Sequence, residues 1–191
     1  MEHKDIKVSL SRLYYPVKVL GPGDRVGIWL NGCRKRCESC VSPEMQQYDP
    51  SKEIPVDSII KMITGIQDHI DGFTISGGEP FYNPNALCAL VQALVEISDD
   101  ILIFSGYTHD ELIAMKDPNI DRILANCAVL IDGEFVKTKS VNVGLRGSSN
   151  QQCWIFKYPE KYDGIIQRPR ELQTVVYGNS VLTIGIPWES K

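Results

Sequence analysis

The chain has 191 residues, 43% hydrophobic and 23% charged, with a formal net charge of −4 and a pI near 5.4. That length suffices for one domain with a real core, and the acidic balance argues against a nucleic-acid binder, which carries a basic footprint. The opening Met1-Glu2-His3-Lys4-Asp5 has no apolar run behind it, and no stretch approaches the ~20 apolar residues of a membrane helix, so a cytoplasmic protein without signal peptide or membrane span is expected.

The first predicted strand is Arg25-Val26-Gly27-Ile28-Trp29-Leu30. A cysteine-rich loop follows, then a helix near 55–70. Pro55 suits its first turn, and Val56, Ile59, Ile60, Ile63, Ile66 and Ile70 fall on one helical stripe. The second strand is Phe73-Thr74-Ile75-Ser76. After a glycine loop comes a helix near 84–97, capped by Asn83 with Pro84 at its first position. Ile101-Leu102-Ile103-Phe104 is the third strand, and Thr108-His109-Asp110-Glu111 is a capping box that starts the next helix. A fourth apolar run, Ala128-Val129-Leu130-Ile131, ends at Asp132-Gly133. The polar segment 137–150 predicts a loop. Thr174-Val175-Val176 and Val181-Leu182-Thr183-Ile184, separated by Gly178-Asn179, predict a hairpin.

Short apolar strands alternating with amphipathic helices predict a parallel α/β sheet. Function in such folds sits beyond the carboxyl ends of the strands. Those ends are Asn31-Gly32-Cys33, Ser76-Gly77-Gly78-Glu79, Ser105-Gly106-Tyr107 and Asp132, so all should emerge on one face.

Cys33-x-x-x-Cys37-x-x-Cys40 offers three thiolates on one short loop. Iron–sulfur clusters take thiolates from such spacings, and three ligands for a four-iron cubane leave one iron open, the mark of a catalytic site. The alternative is a structural zinc ion, with a fourth ligand from Cys88, Cys127, Cys153 or a histidine. Cys88 and Cys127 read more simply as small core residues, and His3, His69 and His109 lack metal-like spacing. In Ser76-Gly77-Gly78-Glu79-Pro80, adjacent glycines after a strand admit a ligand close to the backbone. Their N–H groups could receive a carboxylate and Glu79 an ammonium group, the two ends of an amino acid; otherwise the segment is a tight turn with a solvated glutamate.

Together these residues resemble the radical S-adenosylmethionine (SAM) superfamily, and most closely the activating enzymes of anaerobic ribonucleoside-triphosphate reductase. The resemblance covers about residues 14–157. It runs through Gly21-Pro22-Gly23-Asp24-Arg25, the three-cysteine loop, Ser76 to Pro80, and Ser105-Gly106-Tyr107-Thr108 with Glu111-Leu112. It continues in Ile131-Asp132-Gly133-Glu134-Phe135 and in Leu145-Arg146-Gly147-Ser148-Ser149-Asn150-Gln151.

The resemblance implies a partial, open (β/α) barrel over residues 1–157, with 158–191 as a C-terminal extension packed on the same domain. One side of its sheet would be bare, so that a partner loop could reach the cluster. It implies a [4Fe–4S] cluster on Cys33, Cys37 and Cys40, with SAM chelating the open iron. A flavodoxin-like or ferredoxin-like donor would supply the electron that cleaves SAM to methionine and a 5′-deoxyadenosyl radical, which takes a hydrogen from a glycine of a partner reductase. Ser39, Val41, Gly77, Gly78 and Glu79 would contact SAM, with Ser105 and Asp132 lining its pocket. Arg146 would pair with a carboxylate or the partner backbone, or is a solvated loop arginine. The chain departs from the family in lacking an aromatic at Ser39, in having Gln152-Cys153 where arginine is usual, and in its extension. Action on another peptide or small molecule, and a non-catalytic iron–sulfur or zinc protein, are the competing expectations. Arg34, Lys35 and Arg36 inside the cysteine loop would steer an acidic donor, or simply keep the loop soluble.

Overall fold

A computed structural model describes residues 6–66 and 69–187. His3 and the charged N-terminus lie outside them. The sheet has seven strands: β1 (Lys7–Val17), β2 (Arg25–Leu30), β3 (Glu53–Pro55), β4 (Gly72–Gly77), β5 (Ile101–Phe104), β6 (Val129–Asp132) and β7 (Gln152–Ile155), in the order β3-β1-β2-β4-β5-β6-β7. The central strands β2, β4, β5 and β6 are parallel and consecutive, while β1, β3 and β7 run antiparallel to their neighbours. The parallel sheet expected from the sequence is therefore the middle of a mixed one.

The crossovers carry α1 (Val56–Thr64), α2 (Pro84–Val95), and α3 (His109–Ala114) followed by α4 (Pro118–Asn126). The capping box forms as expected, with Thr108 and Glu111 exchanging side-chain-to-backbone bonds. Asn83 caps α2 through Ala86 N–H. Helix α1 stops at Gly65, short of the predicted 70, because glycine there costs helical entropy.

Alternation along the strands settles which face each element covers. Val26, Ile28 and Leu30, Phe73 and Ile75, Ile101 and Ile103, and Leu130 join one core with residues of α1, α2, α3 and α4. Full burial of each large aliphatic or aromatic side chain there stabilises by roughly 1.5–3 kcal/mol. With the crossovers between the parallel strands on one face and β2, β4, β5 and β6 following chain order, the sheet is open and compatible with a partial (β/α) barrel.

The opposite face, expected to be bare, is covered. Helix α5 (Pro159–Ile166) sets Tyr162 on Leu102, Val129 and Ile131. The hairpin β8 (Leu172–Tyr177) and β9 (Ser180–Gly185) sets Ile184 against Val17, Leu20, Trp29 and Met45. Gln173 fixes the hairpin: its Nε2 donates to the Pro16 carbonyl at 2.8 Å and its Oε1 accepts from Lys18 N–H at 3.0 Å. Among the described residues, no helix is long and apolar enough to cross a membrane.

At the amino ends of the strands, Arg25 is fully buried. Its Nη1 pairs with Asp100 at 3.2 Å, its Nη2 donates to the Phe73 and Asp100 carbonyls at 2.6 and 2.8 Å, and its Nε donates to Thr74 at 2.8 Å. The Tyr162 hydroxyl donates to the same Asp100 carboxylate. The Gly21-to-Arg25 segment therefore serves the opposite end of the sheet from the cysteines.

Candidate functional site

The cysteine loop leaves the carboxyl end of β2 and is closed at its base. Gly32 N–H donates to Met45 O and Cys33 N–H to Gln46 O, each at 2.9 Å, and Cys40 N–H returns to Cys37 O at 3.2 Å. All three cysteines are half-buried within this closed loop. Arg34 lies over the Tyr82 ring at 5.2 Å, and Tyr82 stacks on Tyr48. Lys35 reaches Glu111 at 3.1 Å and lies over Tyr107 at 4.5 Å, tying the loop to the end of β5.

Burial pushes the Cys37 thiol up to about 12, helped by a hydrogen bond with Glu134 and by the charges of Cys40 and Cys33. Cys37 thus does not ionise easily without a cation, the condition that metal binding relieves. Among the described residues, no three His, Cys, Asp or Glu side chains are already arranged to hold a metal; the three thiols lie on one short loop. An all-thiolate donor set suits iron–sulfur chemistry. Cys88 and Cys127 are buried in the helix-side core, as expected of small apolar residues, so neither is the fourth ligand that zinc would need.

The strand ends meet in one hydrogen-bonded row. Gly78 N–H donates to Leu30 O and Glu79 N–H to Gly32 O, each at 2.8 Å; Ser105 N–H donates to Ile131 O at 2.8 Å and Gly133 N–H to Tyr107 O at 3.0 Å. Gly77 has φ +118°, and a Cβ there would lie 2.2 Å from the Leu30 carbonyl oxygen; at Gly78 it would lie 2.5 Å from the Gly32 and Met45 oxygens. Only glycine lets the strand end press against the base of the cysteine loop.

The structure gives Glu79 partners other than an incoming ammonium group. Its carboxylate is 1% exposed and accepts from Phe81 N–H at 3.0 Å, Ser105 Oγ at 2.9 Å and Gly106 N–H at 2.6 Å. Asp132 is likewise engaged: it accepts from Gln152 N–H at 3.0 Å, His109 N–H at 2.7 Å and Trp154 Nε1 at 2.8 Å. Glu79, Ser105 and Asp132 therefore each have hydrogen-bond partners among the strand ends and the segments beside them. Val41, 61% exposed, and half-buried Ser39 flank Cys40 on the open side of the loop. Arg146 donates to the Gln151 carbonyl at 3.3 Å, so it is held within its own loop. That loop is tied to the end of β6, where Gln151 Nε2 donates to Gly133 O at 2.7 Å and Asn150 Nδ2 to Glu134 O at 2.8 Å. Glu134, beside Cys37, is the site residue that sequence reasoning missed. Its place just after a strand end was the available signal.

Burial raises Glu79 to about 7 from an ordinary 4.5, against the pull of the donors and Lys35. The folded chain therefore binds this proton more tightly than the unfolded one. That contribution to stability is fully present below about pH 4.5 and is lost as pH rises through about 7. Glu79→Gln is expected to flatten this slope, read as urea midpoints at about pH 5 and about pH 8. The variant should also lose about 1–3 kcal/mol, since an amide cannot serve all three donors.

A loop of three thiols at the carboxyl ends of the central parallel strands of an open, mixed sheet defines a protein built to hold a single cluster, and residues 19–154 match the 4Fe-4S single cluster domain family. The chain is 34% identical over 147 residues to the anaerobic ribonucleoside-triphosphate reductase-activating protein of Salmonella typhimurium, covering 72% of this chain and 93% of that one. To the protein of that name from Escherichia coli K12 it is 33% identical over the same shares, and to that of Enterobacteria phage T4 26% over 77% of this chain and 94% of the other. The chain belongs to the family of anaerobic ribonucleoside-triphosphate reductase-activating proteins.

Proposed function

We propose that this chain is a radical SAM enzyme that generates a glycyl radical on an anaerobic ribonucleotide reductase in the cytoplasm, with residues 158–191 part of the same domain. The observation that carries this reading is the closed loop of Cys33, Cys37 and Cys40, seated on the hydrogen-bonded row of strand ends. A [4Fe–4S] cluster on these cysteines, with SAM on the iron they leave open, would supply reductive cleavage of a sulfonium C–S bond and the hydrogen-atom abstraction that follows. The chain's own work is positioning. Gly77 and Gly78 bring the β4 end against the loop, where they and Glu79 would hold the amino-acid end of SAM, Ser39 and Val41 would contact it beside Cys40, and Ser105 and Asp132 would line its pocket.

Anaerobic reconstitution followed by paramagnetic resonance tests the reading. The reduced-cluster spectrum should change on adding SAM, and methionine and 5′-deoxyadenosine should be released together. One bound zinc per chain, without iron or sulfide, would refute it.

The electron donor is proposed to be an acidic flavodoxin-like or ferredoxin-like protein. Arg34 and Arg36 are exposed beside the cysteines, whereas Lys35 is partly neutralised by Glu111. Reversing both arginines to glutamate is expected to slow reduction by a protein donor about tenfold at low salt, with the difference vanishing at high salt. Dithionite, which needs no docking, should reduce both forms alike.

A further inference from the structure

At the amino end of β2, opposite the cysteine loop, lies a cavity of about 160 Å³ between the glycine loop 21–23 and the C-terminal extension. By the ~30 Å³ that a liquid water occupies, it has room for about five waters. Three cations line it, Lys18, Arg168 and Arg170, with a single carboxylate, Glu171. Arg170 is 6% exposed. Its Nη1 donates to the Pro187 carbonyl at 2.9 Å and its Nη2 makes a long 3.4 Å contact with Ser140, while its Nε is buried with no hydrogen-bond partner. Among the described residues, no carboxylate pairs with Arg170 or Arg168, and Lys18 makes only an exposed pair with Asp24.

A buried guanidinium without a counter-ion is costly, so such groups are found paired. Arginine's planar fork matches tetrahedral oxyanions, especially phosphoryl groups. We propose that this cavity is an oxyanion site that takes a phosphoryl group as the counter-ion of Arg170, with Arg168 and Lys18 at its mouth. Burial already holds the Arg170 pKa below its usual value, the direction an anion would reverse. The walls join the loop before β2 to residues 165–186, so an occupant would clamp the extension onto the core. The inference is independent of the cluster chemistry.

Calorimetric titration of the full, anaerobically reconstituted chain with inorganic phosphate and with ATP, at constant ionic strength set by chloride, tests it. Saturable binding of one equivalent is expected, with an upward shift of the thermal midpoint as phosphate rises. Arg168→Glu, at an exposed position, should weaken binding at least about tenfold, and Arg170→Leu should abolish it. If Arg170→Leu does not fold, Arg168→Glu decides alone. Tighter binding of ATP would identify a nucleotide, and equal binding the phosphoryl group itself. No saturable heat from either ion, or an unchanged affinity in Arg168→Glu, would overturn the proposal.

Discussion

Cys37→Ala, purified and reconstituted without oxygen, is expected to hold well under half of the wild-type iron and sulfide and to lose glycyl-radical formation on a partner reductase by at least about 100-fold. Loss of groups that merely orient metal ligands already costs 10–100-fold, and Cys37 is proposed as a ligand itself. It also sits in the most demanding surroundings of the three, with burial, Glu134 and both neighbouring cysteines opposing ionisation until a cation arrives. The fold should survive, because the base of the loop is closed by backbone bonds at Gly32 and Cys33, not by the thiol. Circular dichroism should therefore match the wild type while the visible absorption of the cluster disappears. Full iron content with normal radical yield would remove Cys37 from the ligand set.

The second large effect lies at the other end of the sheet. Arg25→Ala is expected to destabilise the protein by about 3–5 kcal/mol, the range for breaking a buried ion pair from one side. Asp100 would be left buried with only Tyr162 and the partly exposed Lys161 to answer it. Against a total of about 5–15 kcal/mol for a typical domain, much of the soluble yield should go. Arg25→Lys should recover little, since an ammonium cannot serve Thr74, Asp100 and the Phe73 carbonyl from one plane. Urea denaturation checks both. The double variant with Asp100→Asn should lose less than the sum of the single losses, because the two groups contact each other.

How much of this was legible in the sequence depended on whether the signal was local. The strands at 25–30 and 101–104 stand where the apolar runs put them. The caps at Asn83 and Thr108, and the terminal hairpin, involve neighbours a few residues apart, so periodicity and turn chemistry found them. Strand β1 was missed: register shifts at Leu10/Arg12 and Tyr14/Val17 break its alternation. Four-residue β7 was missed because its pairing to β6 is a long-range fact. At the site, the cysteine spacing announced itself. The partners of the Glu79 carboxylate did not, since Ser105 and Gly106 are 26 and 27 residues away, and only the fold shows that this glutamate faces inward. Likewise, nothing in the composition of residues 158–187 indicated that they roof the second face of the sheet.

The shared carboxylate of Asp100 sets an order of events during synthesis. The guanidinium of Arg25 leaves the ribosome first, its counter-charge follows 75 residues later, and the Tyr162 hydroxyl another 62 after that. Until the last of these emerges, the nascent amino-terminal half carries an unfinished ionic knot. The cysteine loop will therefore have been made long before the far end of the sheet is sealed.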